Sequence, residues 1–473
     1  MVSNIEFKDI QGLIVRGYNE LPASCFLLLN ITDVVKARQW LRIISEEITD
    51  GISKPTQKAV QVAFTYAGIK KLGMGESSLR SFAREFKEGM TADHRKRVLG
   101  DLGESNIAKW QWGGPANEEV HIMLMLYYSL EKSLEDDCAI QVSKFNGVQL
   151  IKRLDSNLST LQKRKEHFGF LDGISQPLIK GFSKQGDPRF MVEPGEFILG
   201  YGNEYHKLPD SPWVSGAENQ SDLLPLLQDG GNNYDFGKNG SYMVFRQISQ
   251  DVLKFWKFMD DATNEGGSDE EKRVKLASKM MGRWPSGAPL VKCPERDDPA
   301  FAEDNSFEFY HADRDGLKCP FGSHVRRSNP RNSKGPTPEE SDLINKRHKI
   351  LRRGRPYGTY IESFDPVEIA AHSDLLKDRG LHFICFNTSI SRQFEFIQDT
   401  WINNSKFQGL YNDPDPISGN PLGRCKSETG SFTIQAEPVR ERIKDVPAFT
   451  KVIGGAYFFM PGINAVKYLA SIR

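Results

Sequence analysis

Two stretches of the chain carry the same pattern of apolar and polar positions. Cys25-Phe-Leu-Leu-Leu-Asn-Ile31 is a continuous apolar run of strand length, and Asp33 then opens a helical pattern through Val34, Ala37, Trp40, Leu41 and Ile44. Ser241-Tyr-Met-Val-Phe-Arg-Gln-Ile248 is again strand-like, followed by Asp251 and a helical pattern through Leu253, Phe255, Trp256 and Phe258. Each helix starts behind an acidic residue, where the free N–H groups and the dipole favour one. Further strand-like runs occupy Val60–Tyr66 and His121–Tyr127 in the first half, and His382–Phe386 and Ala456–Met460 in the second. The runs at His121 and His382 each lead into another helical pattern. The repeated unit is a β-α-β-β-α-β, ferredoxin-like half, present twice, which makes the fold class α+β.

Between the halves lies Asp210–Gly240, rich in Ser, Pro, Asn and Gly and including Asp229-Gly-Gly-Asn-Asn-Tyr234. The boundary placed there gives an N-terminal half of residues 1–235 and a C-terminal half of 236–473. Asn329–Glu340 is a second loop of the same character.

At 473 residues the chain exceeds one compact core. Lys+Arg and Asp+Glu both number 62, so no overall positive charge holds nucleic acid or an anionic membrane. No apolar run approaches the roughly 20 residues of a membrane-spanning helix. The N-terminus shows neither a basic nor an apolar leader region, which predicts a cytoplasmic protein, although a secreted chain trimmed of its signal reads the same. The six cysteines are scattered without a CxxC pair, which argues against zinc, an iron–sulfur cluster or a disulfide scaffold and for reduced thiols. Walker, GxSxG and HExxH motifs are absent, and Gly73-Met-Gly75 lacks the third glycine of a nucleotide fingerprint.

Three groups of residues offer chemistry, each with a plainer alternative. His324, in Cys319-Pro-Phe-Gly-Ser-His-Val-Arg-Arg-Ser-Asn-Pro-Arg331, is a possible axial ligand, yet a lone His beside two arginines ordinarily sits on a surface loop. Asp172, in Gly169-Phe-Leu-Asp-Gly-Ile-Ser-Gln-Pro177, fits a turn, yet its apolar neighbours Phe168, Phe170, Leu171 and Ile174 suggest an embedded carboxylate. Lys349-Ile-Leu-Arg-Arg-Gly-Arg-Pro-Tyr-Gly358 reads as a solvated basic face, yet Arg352 or Arg353 could face a developing anion. His311, Asp313 and Asp315 offer alternating metal ligands without a second cluster to complete a site.

Together these stretches resemble the dye-decolourising peroxidases. The GxxDG element of that family matches Gly169–Gly173, its Cys-Pro-x-Gly-x-His stretch matches Cys319–His324, and its Arg-Arg-Gly-x-Pro-Tyr-Gly stretch matches Arg352–Gly358. Similar segments run from Leu99-Gly-Asp-Leu-Gly103, with Trp110 and Trp112, through Pro194–Tyr201, Asn239–Arg246 and Met281–Leu290 to Arg379–Phe383. The resemblance implies a paired α+β barrel and one haem b per chain, with His324 as proximal ligand. Asp172 becomes the distal acid–base residue, Arg352 the distal arginine beside the cofactor, and Leu381 and Phe383 the flanks of the peroxide side. Asp415, in Asp413-Pro-Asp-Pro, is the choice for the acceptor behind the proximal histidine. The implied partners are hydrogen peroxide and aromatic dye or phenolic electron donors; the alternative is a haem carrier or haem-processing protein on the same scaffold. Two features depart from the pattern. Arg355 stands where relatives often have an apolar residue, which could add charge near the distal pocket. His382 lies between Leu381 and Phe383, and strand alternation turns it away from them.

Overall fold

The computed structural model describes residues 4–158, 164–182, 186–218, 222–228, 231–372, 378–424 and 427–472. Parts of the expected linker (219–221 and 229–230) and Cys425 lie outside the described residues.

The first half contributes strands β1 (Ala23–Ile31), β2 (Lys58–Phe64), β3 (Ile122–Tyr128) and β4 (Val148–Asn157), with helices α1 (Val34–Glu47) and α2 (Glu131–Ser143). The second contributes β5 (Ser241–Gln250), α3 (Val252–Thr263), α4 (Glu270–Met281), α5 (His324–Ser328), β6 (Leu351–Arg352), β7 (Arg355–Tyr357), β8 (Gly380–Asn387), β9 (Thr450–Met460) and α6 (Ile463–Ser471). The strands form one antiparallel sheet in the order β6-β8-β5-β9-β2-β3-β1-β4, with β7 also on β8. Each half therefore has the ferredoxin-like order, last strand beside first, then third, then second. The halves join where β9 meets β2. Ser156 on β4 meets His382 on β8 at 2.7 Å, so the two ends of the sheet curl toward each other into a barrel.

Both faces of this sheet are buried, which explains the continuous apolar runs in place of strict alternation. On β1, Cys25, Leu27 and Leu29 pack outward with Trp40, Leu41 and Ile44 of α1. Phe26 and Leu28 point into the barrel with Met125, Tyr127, Phe245, Ile384 and Phe458. Asp33 and Asp251 cap α1 and α3, accepting from the backbone N–H of Lys36 and Lys254.

Some boundaries differ from the sequence reading. The strand expected to reach Tyr66 stops at Phe64, because Thr65 caps a short helix, Tyr66–Lys71, by accepting from the Gly68 N–H. The fourth strand of the first half, β4, and the second strand of the second half, the β6–β7 pair, carry too many charges to read as strands. Five cysteines are buried and free. Among the described residues no helix is long and apolar enough to cross a membrane.

Candidate active site

His324 opens the short helix α5, and buried arginines fix that helix. Arg326 and Arg327 are fully buried, which corrects the reading of this stretch as a surface loop. Arg326 donates to the Asp313 carboxylate at 2.9 Å and to the Cys319 carbonyl at 2.7 Å, and stacks over Phe309. Arg327 donates to the carbonyls of Trp401, Asn404 and Asp413. Asp313 is thus occupied, and among the described residues no group of three His, Cys, Asp or Glu side chains could hold a metal ion.

The imidazole itself is held from one side. His324 Nδ1 lies 3.1 and 3.0 Å from the two oxygens of Asp415, the residue the sequence reading named. Asp415 is buried and also accepts from the N–H groups of Ile417 and Ser418, both at 2.9 Å. Burial alone would raise its pKa, but the His324 charge and hydrogen bond, Arg327 and the Ser418 N–H bring it below the usual carboxylate value. Burial alone would lower the His324 pKa, and Asp415 more than offsets that, leaving it raised. Because a carboxylate can only accept, the shared proton belongs to Nδ1. Nε2 has no hydrogen-bond partner among the described residues, and the side chain is 29% exposed.

Asp172 stands on a loop set by a residue that sequence reasoning missed. Glu166 is buried and accepts from the N–H groups of Phe168 (2.9 Å) and Phe170 (3.0 Å) and from Gln250 Nε2 (2.7 Å). Burial pushes its pKa up to about 7. The only signal for it was a carboxylate inside the aromatic run Glu166-His-Phe-Gly-Phe170. Gly169 is required: its φ is +95° and a Cβ would meet the Phe364 ring at 2.5 Å. Phe168 and Phe170 turn toward α3 and α4, where Phe168 stacks on Phe255 at 4.3 Å. The expected embedding of Asp172 is therefore corrected, since its aromatic neighbours point elsewhere and its side chain is 47% exposed. Both readings of its role in the loop meet in one atom. Asp172 Oδ1 accepts from its neighbour Gly173 N–H at 2.6 Å, a turn contact, and from Arg352 at 3.4 Å.

Strand alternation separates the arginines. Arg352 pairs in register with Cys385, so it shares a sheet face with Phe383 and Leu381. Its guanidinium also donates to the Ser175 carbonyl at 3.1 Å. Arg353 turns the other way and donates to the carbonyls of Leu13 and Ile14. Arg355 lies inside the barrel, bonded to the carbonyls of Gly17, Tyr18 and Leu21, so it adds no charge beside Asp172. The basic run is thus no solvated face.

His382 also faces the barrel interior, as alternation implied. Its ring stacks on Tyr357 at 4.6 Å and Nδ1 meets Ser156 Oγ, while burial pushes its pKa down to about 3. A histidine that stays neutral when folded but takes a proton when unfolded lowers stability as pH falls from its ordinary value, ~6.5. The contribution is complete above pH ~6.5 and is lost progressively toward the folded value. The His382→Phe protein should therefore lose less stability than the wild type between pH 6.5 and 4, measured by urea unfolding. Parallel stability–pH curves over this range would contradict the assignment.

The pieces converge. The charges of Arg352 and Asp172 both act on His324, one opposing and one favouring its protonation. A single imidazole with one nitrogen held and the other open suits a metal that brings its remaining in-plane ligands with it, as a haem does.

A family model described as "Dyp-type peroxidase, C-terminal" matches residues 214–412, a span that includes His324, Arg352, Leu381 and Phe383. The dye-decolorizing peroxidase of Exidia glandulosa is 29% identical over 490 residues, covering 98% of this chain and 87% of that one. That of Mycena epipterygia is 30% identical over 460 residues, covering 89% of this chain and 78% of its own. The chain belongs to the dye-decolorizing peroxidase family. A solved structure of a dye-decolorizing peroxidase in complex with 2,6-dimethoxyphenol has 26% identity and a TM-score of 0.76, covering 99% of this chain and 100% of that one. The protein is a DyP-type peroxidase, and peroxidases of this type are haem enzymes. In this dye-decolorizing peroxidase the two halves supply different parts of the site. Asp172 comes from the connection after β4, and His324, Arg352 and Asp415 come from the second half.

Proposed function

We propose that this peroxidase binds one haem b through His324 and reduces hydrogen peroxide while oxidising phenolic or dye donors by one-electron steps. The observation that carries the reading is the arrangement of His324, held by Asp415 at 3.0 Å and acted on by the Asp172–Arg352 pair. When bound, haem would supply the iron on which the O–O bond breaks and the oxidising equivalents that donors then remove.

The chain's own residues manage protons and charge. Asp415 holds the Nδ1–H of His324, which fixes the ring and makes Nε2 more electron-rich. Asp172 takes the proton from the near oxygen of peroxide and returns it to the far oxygen, so that water leaves. Arg352, 3.4 Å from Asp172, pairs with that carboxylate and stabilises negative charge on the departing oxygen. Leu381 and Phe383, on the same sheet face as Arg352, form the apolar wall that limits water. A haem carrier on this scaffold would use His324 and Asp415 but has no task for Asp172 opposite Arg352, and the relatives above are peroxidases.

The 2,6-dimethoxyphenol complex of the related enzyme supports a phenolic donor. Haemin-loaded protein should oxidise this phenol only when peroxide is present, with two donor molecules consumed per peroxide. Donor oxidation without peroxide, or peroxide loss without donor oxidation, would contradict the reading.

A further inference from the structure

Two of the buried cysteines meet far along the chain from the residues of the candidate active site. Cys25 lies on the outward face of β1, and its Sγ is 3.8 Å from the Sγ of Cys138 on α2. Both thiols are free. Cys25 is fully buried and Cys138 is 2% exposed. The mechanism above uses neither of them.

The two elements are held very differently. β1 is fixed between β3 and β4, where Cys25 pairs in register with Leu126 and Asp155. α2 buries only Leu134, Cys138 and Gln141. At its margins Arg153 of β4 donates to Glu135 at 2.9 Å, and Lys58 of β2 pairs with Asp137 at 3.0 Å. Partly exposed ion pairs of this kind contribute little, so α2 is the element that can shift. A disulfide needs its sulfurs ~2 Å apart, so an approach of about 1.8 Å closes the pair.

The thiols also have different parts to play. The Cys25 S–H donates to Cys138, which raises the Cys25 pKa and lowers that of Cys138. Burial opposes the lowering at Cys138, and the Arg153 charge adds to it. Cys138 is therefore the thiol that ionises, and the thiolate is the form that attacks. We infer that Cys25 and Cys138 form a peroxide-oxidised pair whose disulfide staples α2 to the barrel strand β1. The Cys138 sulfur attacks one peroxide oxygen and the O–O bond breaks. Cys138 becomes a sulfenic acid, and the hydroxide released takes up the Cys138 proton and leaves as water. The Cys25 sulfur then attacks the Cys138 sulfur. The S–O bond breaks, and the second hydroxide takes the Cys25 proton to leave as water. The thiol pair is oxidised to the disulfide and one peroxide is reduced to two waters, so the step needs no haem.

The test treats the wild type, reduced beforehand, with hydrogen peroxide, then alkylates it in denaturant and maps its peptides by mass spectrometry. All six cysteines should be alkylated before treatment. Afterwards Cys25 and Cys138 should leave the alkylated set and appear as one linked peptide pair that dithiothreitol releases. The oxidised protein should melt about 5 °C above its reduced form, because the bond joins positions 113 residues apart. Dithiothreitol should reverse that rise. Cys138→Ala should abolish it and leave Cys25 alkylated after peroxide. The wild-type map decides the question even if the variant folds poorly. Cys25 and Cys138 that both stay alkylated overturn the inference, as do thiols driven to sulfinic acid without a linked peptide. A Cys138→Ala protein whose melting temperature rises with peroxide as the wild type's does also overturns it.

Discussion

Replacing Asp172 by Asn is expected to slow peroxide reduction by about 10²–10⁴-fold while leaving haem uptake unchanged. The substitution keeps the side-chain volume and an oxygen that can still accept from the Gly173 N–H, the 2.6 Å contact that shapes the turn. The loop is held from the other side by Glu166 and by the packing of Phe168 and Phe170, none of which involves the Asp172 carboxylate. What an amide cannot do is accept a proton from one peroxide oxygen and deliver it to the other. On the proposed function haem uptake depends on His324 and Asp415, neither of which Asp172 touches by hydrogen bond. Stopped-flow mixing with peroxide, alongside a pyridine haemochrome assay of haem content, separates the two effects. A variant that reacts as fast as the wild type would remove Asp172 from the mechanism.

The sequence showed the fold best where burial leaves a one-dimensional trace. Strands β1 and β5 are apolar on both faces, so Cys25–Ile31 and Ser241–Ile248 stood out, and the capping Asp33 and Asp251 located the helices after them. The edge elements β4, β6 and β7 did not stand out. Their charged side chains suggested solvent, whereas Arg355 is buried and Arg353 half-buried against backbone carbonyls. Carbonyl partners carry no side-chain signature, so a buried arginine of this kind is illegible in a sequence. The same holds for Arg327 beside His324, whose partners are the carbonyls of Trp401, Asn404 and Asp413.

The site followed a similar division. Residue chemistry favoured a turn for Asp172 over an acid, and the structure shows the one carboxylate making a turn contact and an arginine contact together. The choice of Asp172, His324 and Arg352 came from the resemblance of their stretches to a family. Alternation then separates Arg352 from Arg353 on geometry alone. Asp415 was within reach of sequence reasoning as an acid in a proline-bounded turn. Glu166 was not, because its work is to hold backbone N–H groups that any loop would have.

Removing His324 is the other change with a large expected effect. His324 is the one side chain at the site with a ring nitrogen held by a buried carboxylate and its second nitrogen open. Ala at this position removes the proposed ligand and leaves Asp415 with the Ile417 and Ser418 N–H groups and the Ser418 hydroxyl as donors among the described residues. Haem affinity should fall by at least about tenfold, and the peroxide reaction with it. The backbone should survive, since α5 is pinned by Arg326 and Arg327 and not by His324.

The most direct measurement is therefore the visible absorption spectrum of the wild type and of His324→Ala, each mixed with haemin and then with one equivalent of peroxide. The account predicts a strong Soret band in the wild type that shifts rapidly on peroxide addition, and a weak or missing band in the variant. A variant with the wild-type band and the wild-type response to peroxide would contradict it.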